Sequence, residues 1–287
     1  MKPVYLNLTQ DALDRAYDQS VWAPTMSATL AAYATRSAEY RAEVPPQVLR
    51  YHDDDMGQID LFPAKGDGAP GPLIFFVHGG AWRSGDRSMY SFLARNLQPA
   101  GCAMAIPDFP KIQEVGLIAM VERAADALRH LIAAGHADNG LILSGHSSGA
   151  HMAGCLACGA AGEDIARATD ATLLVSGMYD MEPVLLSSRR SYVHLTAVEA
   201  LRLTARAHLD DIAARHNALF FGAGESPEFK RQSRDFAADL EPLGKLASCA
   251  EIDSYDHFSV LLESFETESK LASAMIAAVD AVRQPAM

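Results

Sequence analysis

The sequence lacks a cluster of basic residues. Lys and Arg number 24 against 36 Asp and Glu, which gives a formal net charge of −12 at pH 7. A nucleic acid or an anionic membrane would repel such a chain unless its cations were gathered in one patch. We therefore expect neither a nucleic acid nor a membrane as a partner.

Long apolar runs are missing as well, and cysteines are few. No stretch of 18 or more apolar residues could span a bilayer, and the start Met1-Lys2-Pro3-Val4 has no apolar core of a signal peptide. Four cysteines, at positions 102, 155, 158 and 249, do not suggest a disulfide framework in 287 residues. These absences predict a soluble, cytosolic protein with reduced cysteines.

The chain is apolar enough to bury a large core, since 49% of its residues are hydrophobic. An α/β fold of this length commonly forms one domain, so we expect a single domain over 1–287. After two helical patterns (9–20 and 24–42) and two strand-like segments (47–52 and 57–62), buried strands alternate with helices. The predicted strands are 73–77, 102–106, 141–145, 172–177, 217–222 and 248–252, and the helices between them include 86–100 and 114–134. This alternation predicts βαβ units and a mostly parallel sheet.

The feature that organises the chain is Gly145-His146-Ser147-Ser148-Gly149, which fits the G-x-S-x-G pattern of a nucleophile elbow. The turn requires glycine at positions 145 and 149, because a Cβ at either position would collide with the backbone of so tight a strand-to-helix turn. The turn exposes the Ser147 hydroxyl at a helix N-terminus, where free N–H groups and the helix dipole favour a bound oxyanion.

A second chemical element follows the apolar run 73–77, where the chain reads His78-Gly79-Gly80-Ala81-Trp82. In hydrolases with such a loop, its backbone N–H groups join the N–H after the nucleophile to bind the tetrahedral oxyanion. We predict Gly80, Ala81 and Ser148 as the donors. An ordinary glycine turn is the alternative, and the elbow downstream argues against it.

A serine nucleophile needs a histidine base that a carboxylate orients. In the chain order Ser, acid, His, we predict His257, in the loop after the last strand, as the base; the other histidines after the elbow lie in or beside helical stretches. Glu225, after the penultimate strand, is the predicted acid. Asp180, one strand earlier, remains its rival, whereas Asp256 adjoins His257 too closely to reach its ring.

Other candidates for chemistry have simpler interpretations. Asp53, Asp54 and Asp55 predict a solvated hairpin tip rather than a metal site. Cys155 and Cys158 predict small core residues rather than a redox or zinc pair. The segment 64–72 is predicted as a surface loop, and the polar helical stretch of about 181–207, with Arg189 and Arg190, as a small lid.

Taken together, these segments resemble the kynurenine formamidase (arylformamidase) branch of the α/β-hydrolase fold over nearly the whole chain. The residues that carry the resemblance are Asp18, Trp22, 78–82, 145–151, 176–183, 225–233 and 256–258. The match around Glu225 is the most specific to that branch. The chain departs from the family at Glu225, where animal members have aspartate, at Ala81, where tyrosine is common, and at Asp108-Phe109-Pro110.

The resemblance implies a Ser147, Glu225 and His257 triad that needs no metal or organic cofactor. We expect six further side chains in the substrate pocket: Trp22, Trp82, Phe109, His151, Tyr179 and Phe258. For Trp22 an anchoring role is preferred, and for His151 helix packing is an equal alternative. The expected reaction is hydrolysis of a small amide or ester through an acyl-enzyme. A broad short-chain carboxylesterase and a non-catalytic ligand-binding protein stay open, as does a homodimer.

Overall fold

The computed structural model describes residues 2–65, 71–265 and 269–283. Eight strands form one sheet in the order β1-β2-β4-β3-β5-β6-β7-β8. The strands are β1 Gln47–Arg50, β2 Gln58–Phe62, β3 Leu73–Val77, β4 Ala103–Pro107, β5 Leu141–His146, β6 Ala171–Val175, β7 His216–Gly222 and β8 Leu246–Ile252. Strands β3 to β8 are parallel, and β2 is antiparallel to both β1 and β4. The expected mostly parallel sheet is therefore confirmed.

Helices cover both faces of this sheet. They are α1 Gln10–Tyr17, α2 Met26–Glu43, α3 Ala94–Leu97, α4 Ile112–Ala133, α5 Ser148–Ala157, α6 Glu163–Ala168, α7 Glu182–Leu186, α8 Ala197–Arg202, α9 Pro227–Leu240 and α10 Lys270–Arg283. The predicted helix over 86–100 is wrong in kind, because a 3₁₀ helix, Arg87–Leu93, precedes the short α3. There the Phe92 amide donates to the Ser37 hydroxyl of α2, so a tertiary contact replaces an α-helical bond.

The side chains of the central strands alternate between two apolar cores. On β3, Leu73, Phe75 and Val77 belong to one core, and Ile74 and Phe76 belong to the other. All five are buried because helices cover both faces of a parallel sheet. This is why strands β3, β5 and β6 read as continuous apolar runs rather than as alternating patterns.

The parallel strands bring their carboxyl ends to one edge of the sheet. The loops that follow β3, β5, β7 and β8 carry Gly80, Ser147, Glu225 and His257 respectively. In open α/β sheets this edge is where ligands bind. The fold thus gathers residues that are up to 177 positions apart in the sequence.

Two peripheral predictions concern the turn at 53–55 and the segment 64–72. Residues 53–55 lie in the turn between β1 and β2, where the Asp54 carboxylate pairs with Arg123 and contacts His52. Among the described residues no group of acidic, histidine and cysteine side chains could hold a metal ion, and no helix is long and apolar enough to cross a bilayer. The predicted surface loop 64–72 has residues 66–70 outside the described part of the chain.

Candidate active site

Ser147 sits in a strained turn between β5 and α5. Its φ of 55° and ψ of −122° are unfavourable for a residue with a side chain. A Cβ on Gly145 would lie 2.5 Å from the Gly149 carbonyl oxygen, as expected for a tight turn. A Cβ on Gly149 would instead meet the Val77 carbonyl oxygen at 2.0 Å, so this glycine is required by the neighbouring strand β3 rather than by the turn.

The structure brings Ser147 and His257 together. The Ser147 Oγ and His257 Nε2 atoms are 2.8 Å apart, and both side chains are buried. The rings of Phe229 and Phe258 contact the imidazole edge-on, with centroids 4.8 and 5.1 Å away. In the neutral ring that donates through Nδ1, Nε2 accepts the bond from the serine hydroxyl, which is the arrangement in which the ring can take up the serine proton.

Glu225 occupies the other side of the same imidazole. Its Oε2 lies 2.9 Å from His257 Nδ1, and its side chain is 0% exposed. The second oxygen, Oε1, accepts from the Gly222 amide at 2.7 Å and from the Ser176 hydroxyl. With both oxygens engaged, the carboxylate is fixed in position and can stabilise a positive charge on the ring.

The two other acids considered for this position lie elsewhere. Asp180 accepts from the Tyr5 hydroxyl at 3.2 Å and from the Glu182 amide at 3.0 Å. Asp256 caps its own loop, where its Oδ1 accepts from the amides of Phe258 and Ser259. Neither carboxylate contacts the His257 ring, so the geometry favours Glu225.

The loop after β3 adopts a left-handed backbone over three residues. Gly80, Ala81 and Trp82 have φ values of 127°, 53° and 62°. The loop is held by bonds from the Arg83 and Ser84 amides to the Gly80 carbonyl. A Cβ at Gly80 would lie 2.1 Å from the Ser84 carbonyl oxygen, so a side chain at this position would clash. Among the described residues, no backbone carbonyl accepts from the amides of Gly80, Ala81 or Ser148. These donors are therefore free to bind an oxyanion.

His146 is a site residue that sequence reasoning missed. Its Nε2–H donates to the His257 carbonyl at 2.6 Å, and the two rings lie 4.9 Å apart. Burial, together with the nearby His257, lowers the pKa of His146 to about 3, so the ring stays neutral. Its place as the variable residue inside G-x-S-x-G was the only sequence signal, and that position is not restricted by the pattern.

A cavity of about 690 Å³ opens over Ser147 and His257. Its walls come from the loop 78–85 after β3, the 3₁₀ helix Arg87–Leu93, the segment 17–30 and the segment 188–192. The lining residues are Tyr17, Asp18, Gln19, Ser20, Met26, Leu30, Gly80, Ala81, Ser84, Gly85, Met89, Tyr90, His146, Ser147, Ser188, Arg189, Tyr192, His257 and Phe258. The N-terminal segment thus contributes six lining residues, whereas the predicted lid contributes three.

Of the six predicted pocket side chains, only Phe258 lines this cavity. Of the other five, Trp82 packs edge-on to His151, Phe109 stacks on His78 and Tyr179 stacks on Phe236, all of them buried. Trp22 is half-buried and bonds through Nε1 to the Arg15 carbonyl. The structure corrects the prediction for these five. The contacts of Trp22 and His151 fit the packing alternatives for these two residues.

The cysteines near the site are core residues, as predicted. Cys155 and Cys158 are buried and free, and all four cysteines of the chain are unpaired. The Cys155 thiol contacts the His151 Nε2 atom and the Leu203 carbonyl oxygen, both at 3.4 Å. Burial raises the pKa of Cys158 to about 12 and that of Cys155 well above its usual range, which leaves both as inert thiols.

Three buried neutral histidines should make the folded protein less stable at low pH. Burial lowers the pKa of His78 and of His146 to about 3 and that of His151 to about 4. Between these values and about 6.5 the unfolded chain binds protons that the folded chain does not. The contribution of these histidines to the free energy of unfolding is therefore at its full value above pH 6.5 and falls as the pH is lowered. Each such histidine removes about 1.4 kcal/mol per pH unit well below pH 6.5.

Urea denaturation between pH 7 and 5 measures this loss. The replacement His151→Gln keeps a donor for the Leu203 carbonyl oxygen and removes one titrating group. Its free energy of unfolding should therefore depend less steeply on pH, because the number of protons taken up on unfolding falls by close to one. A pH dependence equal to that of the wild type would show that His151 is not buried as a neutral ring.

Comparisons with known proteins match this chain in part or over most of its length. Residues 59–178 match the BD-FAE family model. A kynurenine formamidase from Danio rerio is 27% identical over 267 residues, which cover 89% of this chain and 91% of that protein. An isoprenylcysteine α-carbonyl methylesterase from Arabidopsis thaliana is 31% identical, but over 37% of this chain and 26% of that protein.

Solved structures agree on the fold. A protein from Silicibacter sp. that was solved as a proposed thioesterase superposes with a TM-score of 0.81 at 23% identity, covering 93% of this chain and 98% of that one. Esterase B from Lactobacillus rhamnosis superposes with a TM-score of 0.65 at 20% identity, covering 93% and 96%. At these identities the likeness concerns the fold alone.

Proposed function

Since this chain is an α/β-hydrolase of the arylformamidase-like and carboxylesterase-like kind, we propose that it cleaves small amides and esters with Ser147, His257 and Glu225. The observation that carries the proposal is the continuous bonded series from Ser147 Oγ through the His257 ring to Glu225, at 2.8 and 2.9 Å. This series lies at the wall of a cavity large enough for a small-molecule substrate.

In the proposed acylation step, His257 Nε2 takes the Ser147 proton while Oγ attacks the substrate carbonyl carbon. The oxygen of the tetrahedral intermediate accepts bonds from the amides of Gly80, Ala81 and Ser148. The protonated ring, whose charge Glu225 stabilises, then gives its proton to the departing amine or alcohol. An acyl group remains on Ser147.

Deacylation repeats the same proton transfers with water. His257 takes a proton from the water that attacks the acyl-enzyme, and it returns that proton to Ser147 when the acid product leaves. His146 acts in neither step as a proton carrier, because its low pKa keeps it neutral and its Nε2–H is bonded to the His257 carbonyl. We assign it the positioning of the His257 backbone.

The lid and the domain organisation belong to the same proposal. The segment 181–207 would cover one side of the cavity through Ser188, Arg189 and Tyr192, while the N-terminal segment covers the other side. A single domain over 1–287, a cytosolic location and a homodimer stay predictions.

Turnover measured side by side on p-nitrophenyl acetate and N-formylkynurenine tests the proposal. We expect hydrolysis of at least one of them, with a burst of p-nitrophenol when deacylation is slow. A folded protein that binds these compounds and turns over neither would support the non-catalytic alternative. The ratio of the two kcat/KM values then separates an arylformamidase from a short-chain carboxylesterase.

The cavity predicts a tolerant acyl site. Ala81 lines it with a single methyl group, and Trp82, which could have closed it, lies behind the wall. One mismatched methylene in an apolar pocket changes binding by about 1–3 kcal/mol, so a dedicated formamidase should reject butyryl esters by about a hundredfold or more. We expect wild type to hydrolyse p-nitrophenyl butyrate within about tenfold of the acetate.

The variant Ala81→Tyr adds a ring to this wall and should shift the acetate-to-butyrate ratio of kcat/KM toward acetate. Ala81→Ser serves as its control, because it changes the same backbone position without adding bulk. Strong rejection of butyrate by wild type would contradict the open site and favour a dedicated formamidase.

A further inference from the structure

Arg189 is a buried cation in the wall of the cavity that holds Ser147 and His257. It belongs to the 3₁₀ helix Ser188–Ser191 and is 6% exposed. The adjacent Arg190, on the same turn, is exposed and lies outside this cavity. Arginine is always charged and is rarely buried without an anionic partner, so its placement requires an explanation.

The groups that Arg189 contacts carry no negative charge. Its Nη2 donates to the Tyr17 carbonyl at 3.0 Å and its Nη1 contacts the Met178 sulfur at 3.6 Å. Over the described ranges, no Asp or Glu oxygen is within ion-pair distance of its nitrogen atoms. Glu228, which accepts from the Tyr17 hydroxyl, is paired with Arg231 instead.

Aromatic rings surround the rest of the guanidinium. The rings of Tyr17, Trp82 and Phe229 lie 5.4, 5.6 and 5.6 Å from its central carbon atom. These contacts lower the cost of burying the charge and fix the orientation of the fork, but they do not neutralise it. Two of these rings lie next to the catalytic residues of the proposal, since Trp82 directly follows Ala81 in the loop after β3 and Phe229 contacts His257.

Other partly buried arginines of this protein are treated differently. Arg87, with 19% of its side chain exposed, pairs with both Asp60 and Asp108, and Arg41 pairs with Asp60. Arg87 and Arg41, which do not line the cavity, therefore have carboxylate counterions. At Arg189 the fold supplies none, although the chain carries an excess of acidic residues.

We propose that Arg189 binds a carboxylate of the substrate, so that the enzyme selects esters or amides that carry an anionic group. The guanidinium fork matches a carboxylate with two parallel bonds, and the low dielectric of the cavity wall strengthens them. This inference rests on the proposed hydrolysis and adds the charge of the substrate to it. Loss of a bond to a charged group in such a place changes affinity by about ten- to a hundredfold.

Matched ester pairs test the proposal, with the carboxylate on either side of the scissile bond. 4-Acetoxybenzoate and its methyl ester differ in the charge of the leaving group. p-Nitrophenyl hydrogen glutarate and its methyl ester differ in the charge of the acyl group. For one of these pairs we expect wild type to prefer the anion by about tenfold or more in kcat/KM. Arg189→Met should abolish that preference, and Arg189→Lys, which keeps the charge without the fork, should retain part of it.

Arg190→Gln is the matched control, because it removes the same charge from the same turn outside the cavity. Its anion-to-ester ratio should equal that of wild type. Any of three results would overturn the proposal. The first is that wild type has equal kcat/KM values for anion and ester in both pairs. The others are that Arg189→Met lowers kcat/KM by the same factor for both members of a pair, or that Arg190→Gln has the same effect as Arg189→Met.

Affinities of the same compounds for Ser147→Ala, measured by calorimetry, separate this inference from the proposed hydrolysis. If wild type cleaves no member of either pair and neither p-nitrophenyl acetate nor N-formylkynurenine, the hydrolysis proposal fails, yet tighter binding of the anion that depends on Arg189 would still support the carboxylate site. Binding of anion and ester with equal affinity would exclude that site whatever the turnover.

Discussion

Replacing Ser147 with Ala should lower kcat on any accepted ester or amide by on the order of 10⁶, the loss typical when a serine nucleophile is removed. The hydroxyl is the only group in the serine–histidine contact that can form the acyl bond, and without it His257 has no hydroxyl to deprotonate. The fold should remain intact, because alanine fits the strained turn at φ 55° as well as serine does. Labelling by a fluorophosphonate should disappear.

Two neighbouring serines provide the controls. Ser144 lies on β5 and donates to the Leu173 carbonyl at 2.8 Å, while Ser148 begins α5 and in the proposal acts through its amide rather than its hydroxyl. Ser144→Ala and Ser148→Ala should therefore retain labelling at Ser147, detected by mass spectrometry of the labelled peptide. Labelling that persists in Ser147→Ala at either neighbour would assign the nucleophile to that serine.

Local patterns sufficed for the residues whose role is set by short-range geometry. Gly145 and Gly149 are demanded by backbone contacts that no side chain allows, so Ser147 could be predicted from five letters. The alternation of buried strands and helices then gave the parallel sheet, and chain order placed Glu225 and His257 at the ends of β7 and β8. The choice between Glu225 and Asp180 could not be made by order alone, because both follow strands at the same edge.

Residues whose role depends on distant partners could not be predicted in this way. Arg189 faces the cavity only because Tyr17, Trp82 and Phe229 come from three separate parts of the chain to surround it. The aromatic residues beside the motifs were expected in the pocket, yet Phe109 and Tyr179 stack on His78 and Phe236 behind it. A sequence motif gives proximity to a site but not the direction in which a side chain points.

Glu225→Gln should lower kcat by about 10⁴, the scale seen when the triad carboxylate becomes an amide. Two donors, the Gly222 amide and the Ser176 hydroxyl, surround Oε1, so the carbonyl oxygen of glutamine takes that position. Its NH₂ group then faces His257 Nδ1, which must become an acceptor. The ring proton moves to Nε2, where it points at Ser147 Oγ and blocks proton transfer from the hydroxyl.

The tautomer itself is measurable, which separates this mechanism from a loss of structure. ¹⁵N chemical shifts of His257 should show Nδ1 protonated in wild type and Nε2 protonated in Glu225→Gln. Asp180→Asn is the matched control, because it makes the same change in charge at a carboxylate that bonds only to Tyr5 and Glu182 in the contacts described above, and its kcat should stay within about tenfold of wild type. A larger loss in Asp180→Asn than in Glu225→Gln, with the wild-type tautomer kept in the latter, would move the acid to Asp180. The carboxylate acts through the ring it orients, so activity and tautomer must change together.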